Sequence, residues 1–133
     1  MALFIDYGNS LIFAGMTEKA IPLFQKLVQL NPFGPWYLSS QFGVALRNAG
    51  RFEEAVTAHR KAIQLAPEEI SPRVGLAVIY ILMGREKEAS AEAAEALRMD
   101  PNFTVDSWAK TFSYKDQSQQ DKIVTAAVKA GLK

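Results

Sequence analysis

Three kinds of small or chain-breaking residue return in this 133-residue chain at a single interval, and that recurrence constrains its fold more than any other feature. Gly15, Gly50 and Gly84 stand 35 and 34 residues apart. Ala20, Ala55 and Ala89 each follow a glycine by five residues, and Pro32, Pro67 and Pro101 each follow an alanine by twelve. Glycine adopts the left-handed backbone conformation at little cost and so ends a helix. Alanine early in the next helix lets two helices cross closely. Proline, in Asn31-Pro32, Ala66-Pro67 and Asp100-Pro101, stops the second helix. A period of this length with these signals describes one helix–turn–helix unit per repeat.

The apolar spacing agrees with that reading. Leu3, Tyr7, Leu11 and Ala14 step by three or four, as do Ala20, Leu23, Phe24, Leu27 and Leu30. The second repeat offers Phe42, Ala45, Leu46 and Ala49, then Ala55, Ala58, Ala62 and Leu65. The third offers Leu76, Ile79, Tyr80 and Met83, then Ala89, Ala93, Ala96 and Leu97. No long alternating run and no Asn-Gly hairpin signal is present, so the expected class is all-α. The repeats are assigned to 1–34, 35–69 and 70–103, with capping helices over 104–133. In that tail Thr104 is placed to cap a short helix through about Thr111, with Phe103 stapled against it. Asp116 caps a last helix over 117–130, with Ile123, Val124, Ala127 and Val128 as its buried stripe. Gly131 ends that helix, and Leu132 folds back onto it.

Composition narrows the functions available. Apolar residues make up 49% and charged residues 22%, and 15 basic against 14 acidic side chains leave a net charge of +1. That near-neutral balance gives no electrostatic reason to expect nucleic acid or an anionic membrane as partner. With no cysteine and one histidine, cysteine-bound zinc, thiolate catalysis, disulfides and a histidine metal cluster are all excluded. No apolar run nears the roughly 20 residues a membrane-spanning helix needs. The opening Met1-Ala2-Leu3-Phe4-Ile5 lacks the basic start of a secretory signal, so the expected compartment is the cytoplasm.

The repeat resembles the tetratricopeptide family, whose pattern runs aromatic, two residues, Leu-Gly, two residues, Tyr, then Ala, three residues, Phe, and a late Pro. Repeat one reads Phe4, Tyr7-Gly8, Leu11, Ala20, Phe24, Pro32. Repeat two reads Ser39, Phe42-Gly43, Leu46, Ala55, His59, Pro67. Repeat three reads Arg73, Leu76-Ala77, Tyr80, Ala89, Ala93, Pro101, and departs furthest. The resemblance covers residues 1 to about 103. It implies a right-handed superhelix of three helix pairs with a C-terminal capping pair. It also implies a protein or peptide partner held in a concave groove, with no cofactor and no metal. On that geometry the groove is lined by Ile5, Asn9, Ile12 and Phe13, by Tyr37, Ser40, Gln41, Val44 and Arg47, and by Val74, Val78 and Ile81. Relatives that bind chaperone peptides clamp a terminal carboxylate with Lys, Arg and Asn there. Only Asn9 and Gln41 fit such a clamp, and Ile5, Ser71 and Gly75 stand where clamp residues belong. The groove instead reads as apolar around Val74, Val78 and Ile81, either open to an apolar helix or filled by the chain's own last helix.

The tail carries a narrower resemblance. Trp108-Ala-Lys-Thr-Phe112-Ser-Tyr-Lys-Asp116, followed by a helix ending Lys129-Ala-Gly-Leu132, is similar to the C-terminus of bacterial proteins that join a class III adenylate/guanylate cyclase domain to a tetratricopeptide array. Their tails carry a proline where this chain has Gln117. That resemblance implies a regulatory segment whose catalytic domain lies upstream. The apolar start Met1, Leu3, Phe4, Ile5, without a capping residue, points the same way: earlier repeats or another domain precede it, or the edge pairs with a second copy.

Catalysis finds no support. His59 occupies a position where relatives carry Phe, and its neighbours Ala58 and Arg60 supply neither nucleophile nor carboxylate, which counts against a small hydrolase built on Glu and His59. Glu53/Glu54 and Glu68/Glu69 sit at helix starts, where they favour the helix dipole. Glu86, Glu88, Glu92 and Glu95 are expected along a solvated face. Trp36 is read as packing between repeats or as a partner anchor, and Trp108 as the pin of the capping helices. The expected function is a protein–protein interaction module, not an enzyme. The alternative is the regulatory region of a cyclase.

Overall fold

The computed structural model describes residues 1–133 and contains eight helices and no strand. They are α1 (Ala2–Phe13), α2 (Thr17–Leu30), α3 (Trp36–Asn48), α4 (Phe52–Leu65), α5 (Ser71–Leu82), α6 (Glu86–Met99), α7 (Val105–Ala109) and α8 (Gln117–Ala130). The first six form three helix–turn–helix pairs, each turned at one of the periodic glycines. Every turn closes in the same way. The amide of Met16 donates to the Leu11 carbonyl at 2.8 Å, Arg51 to Leu46 at 2.9 Å, and Arg85 to Tyr80 at 2.8 Å. The glycine before each donates one turn inward, to Ile12, Arg47 and Ile81. This double closure needs positive φ at the glycine, and Gly15, Gly50 and Gly84 have φ of 81°, 78° and 77°. Gly131 ends α8 by the same device, and Leu132 folds back to 3% exposure.

The second helix of repeats two and three starts without a side-chain cap on its backbone. Instead Arg51 grips Glu54 with two hydrogen bonds, of 2.9 and 2.7 Å, and Arg85 grips Glu88 with 2.7 and 2.6 Å. Thr104 and Asp116 cap α7 and α8 as expected, accepting from the amides of Ser107 and Ser118.

The helices form two units, Met1–Pro67 and Glu68–Lys133. In the first, α1 pairs with α2 and α3 with α4, and α3 also packs on α2 and α1. In the second, α5 pairs with α6, while α8 lies chiefly along α5 and only lightly on α6 and α7. Ala20, Ala55 and Ala89 all have 0% exposure, as close helix crossings require. A second size rule operates at the crossing. A Cβ on Gly8 would stand 2.6 Å from the Phe24 ring, and one on Gly43 would stand 2.8 Å from His59 Cδ2. Repeat three solves the same packing with two small residues, Ala77 and Ala93, both buried. A ring on the second helix thus requires glycine opposite it.

Three expectations need correction. In α1 the buried face is Ile5, Gly8, Leu11 and Ile12, whereas Leu3 and Tyr7 are 77% and 58% exposed. The equivalent of Leu3 in repeat two, Leu38, is 1% exposed because α3 packs on α2 as well as α4, while α1 has only α2 and α3. In α8 the stripe is Ile123, Ala126, Ala127 and Ala130, and Val128 is 56% exposed. Glu92 is not on a wet face: it pairs with Arg73 at 3.3 Å, the two side chains being 18% and 21% exposed.

Candidate functional site

The residues expected to line a groove fall on α1, α3 and α5, and the structure treats them differently. Within the first unit, Ile5, Ile12, Ser40 and Arg47 are buried, Asn9, Phe13, Gln41 and Val44 are half-buried, and Tyr37 is exposed. The half-buried four are partly open, and Leu3, Phe4 and Tyr7 of α1 and Tyr37 of α3 are more exposed still. Several polar side chains of α3 and α4 are buried. Ser40 Oγ lies 3.5 Å from His59 Nδ1, and Arg47 Nε donates to Asn48 Oδ1 at 3.2 Å. Asn9 Oδ1 and His59 Nε2 are buried without a hydrogen-bond partner.

His59 is 1% exposed, and its burial, with the Arg47 charge adding to it, pushes the imidazole pKa down to about 3. Both effects penalise the protonated ring. At neutral pH His59 is an uncharged packing ring under Gly43, with no carboxylate hydrogen-bonded to it. No group of three or more metal-ligating side chains exists.

In the second unit, Val74 and Val78 are wholly buried and Ile81 is half-buried. Helix α5 is apolar almost all round, and α6 and α8 together pack it, so its side chains are core. The link into α8 is well fastened. Trp108, Phe112 and Tyr114 form a chain of edge-on rings with centroids 4.9 and 5.9 Å apart. Gln120 accepts from the Tyr114 amide at 2.9 Å and donates to the Ala109 carbonyl at 3.4 Å. Trp36 stands edge-on to Tyr37 at 5.8 Å, and neighbouring Phe33 is 90% exposed.

The first unit also holds a pocket that the repeat pattern did not lead one to expect. It measures about 280 Å³ and opens over Val28, Ser39, Phe42, Leu46 and Ala58, with Lys61 at its edge. Its marks in the sequence are Ser39, in the place where repeat one has Phe4, and Ala58, where repeat one has Leu23.

A tetratricopeptide-repeat family model matches residues 46–109. The solved structure of a MamA mutant is 30% identical and superposes with a TM-score of 0.68, over 74% of this chain and 72% of that one. The chain belongs to the tetratricopeptide-repeat family. The peroxisomal targeting signal receptor of Candida glabrata is 34% identical over 82 residues, which are 62% of this chain and 14% of the receptor. The chain therefore corresponds to a small part of that relative's length. The second tetratricopeptide domain of human RPAP3, solved with the HSP70 peptide SGPTIEEVD, shares the fold at a TM-score of 0.70 over 96% of this chain and 92% of that one. At 19% identity that likeness speaks for the fold alone.

Proposed function

We propose that this chain is a protein–protein interaction module that holds an extended or helical segment of a partner against α1 and α3. The observation that carries the reading is the difference in cover. Asn9 and Val44 remain half-open in the first unit, as do Phe13 and Gln41, whereas Val78, the counterpart of Asn9 and Val44 in repeat three, is enclosed in the second, where α8 lies along α5. Family membership supports the same reading. A mixed surface of apolar and amide side chains suits main-chain hydrogen bonding plus one or two apolar anchors. A peptide array supplies binders, and NMR titration locates them. Shifts centred on Asn9, Gln41 and Val44, abolished by Val44→Asp, are expected. Binders that ignore Val44→Asp would overturn the assignment.

The exposed Leu3, Phe4 and Tyr7 favour a second reading, pairing of two copies through α1. Sedimentation across concentrations tests it, and a monomer throughout would refute it. A place as the regulatory region of a nucleotide cyclase rests on the tail resemblance. The coding sequence upstream of Met1 tests it.

A further inference from the structure

The pocket over Ser39 has an explanation inside the protein itself. Position 39 corresponds to Phe4 in repeat one and Arg73 in repeat three, and position 58 to Leu23 and Glu92, by the 35- and 34-residue spacings. In repeat three these two positions are filled by the Arg73–Glu92 ion pair at 3.3 Å. In repeat one they hold two large apolar side chains. Repeat two alone has both truncated, to serine and alanine, and there the structure opens a pocket floored by Val28, Phe42, Leu46 and Ala58. Its walls come from α2, α3 and α4, all within the first unit.

Size and charge restrict what fits. At about 280 Å³ the pocket is of a size for one aromatic side chain. Two ionisable groups stand at its edge. Glu54 is held by two hydrogen bonds from Arg51, so that pair presents no net charge. Lys61 has no acidic partner, and it is the cation left over. An apolar floor with one uncompensated ammonium at the rim matches a ring flanked by a carboxylate.

We propose that the Ser39/Ala58 pocket is a second recognition site, which takes a tryptophan or phenylalanine side chain of a partner protein whose neighbouring residue is acidic. Ser39, Phe42 and Leu46 share one face of α3, and Gln41 and Val44 lie on another, so this site is separate from the proposed inner surface. The partner's ring takes the place of the side chains that meet as Arg73 and Glu92 in repeat three.

Titrating the full chain with the blocked tripeptides Glu-Trp-Glu and Gln-Trp-Gln, followed by amide NMR, tests this. Shifts should centre on Ser39, Phe42 and Ala58, with the acidic peptide binding about two- to fivefold tighter, the range expected of an exposed ion pair. Lys61→Gln should remove that preference and leave the weaker binding intact. Ser39→Phe and Ala58→Leu should each fill the pocket and abolish binding of both peptides, with melting temperatures no lower than the parent's. Either variant suffices if the other fails to fold. Shifts centred on Asn9, Gln41 and Val44 would overturn this site while leaving the inner surface standing. Equal affinity for the two peptides, or binding that survives both filling variants, would also overturn it.

Discussion

Replacing His59 by phenylalanine should flatten the acid sensitivity of this protein, and the size of the effect follows from the ring's surroundings. The buried imidazole has its pKa pushed from 6.5 down to about 3. Between those values the unfolded chain binds one more proton than the folded one, so stability falls as pH drops from 6.5 toward 3 and is fully present above 6.5. At about pH 5 this one ring accounts for a loss of about 2 kcal/mol relative to neutral pH. The variant keeps every other titrating group, so their contributions cancel in the comparison. Repeat one shows that the swap is sterically sound, since Phe24 packs under Gly8 as His59 packs under Gly43. At neutral pH the variant loses the long 3.5 Å contact with Ser40 but also removes the buried, unpartnered Nε2. These are opposing effects of about 1 kcal/mol each. Urea denaturation of both proteins at about pH 7.5, 6 and 5 measures the gap, which should widen by about 2 kcal/mol on acidification. Parallel profiles would mean that His59 titrates normally in the folded protein and that its burial is misjudged.

Other expectations follow from the packing. Ala55→Leu overfills a site of 0% exposure and should cost about 1–3 kcal/mol in a thermal or chemical melt. Gly50→Ala meets no neighbour but is forced into φ near +78°, so a loss of about 1–2 kcal/mol should appear from backbone strain alone. Glu92→Ala should cost about 1–3 kcal/mol, because it strands Arg73, whose Nε is already buried without a partner. A double variant that also replaces Arg73 should lose less than the sum of the single changes. Leu3→Ser with Tyr7→Ser should leave the melting temperature nearly unchanged, since both side chains are exposed, yet abolish any concentration dependence in sedimentation.

What could be read from the chain alone were the features that depend on local backbone chemistry. A glycine at positive φ, a proline after a helix end, and a Thr or Asp that caps the next helix act over a few residues. Hence the turns at Gly15, Gly50 and Gly84, the caps at Thr104 and Asp116, and the final closure at Gly131 were all legible. The alanine period also located the crossings, because only a small residue fits where two helix axes come closest. Which side of a helix is covered depends on how many neighbours it has, and periodicity is silent on that. Helix α1 is apolar nearly all round, so its pattern alone could not separate the buried Ile5 and Ile12 from the exposed Leu3 and Tyr7. Glu92 reads as a surface charge until Arg73, nineteen residues earlier, is seen to meet it. The path of α8 along α5, which encloses Val74 and Val78, and the pocket left by Ser39 and Ala58 are likewise tertiary facts. Each depends on side chains brought together from distant parts of the chain, and no local propensity encodes the space that remains between them.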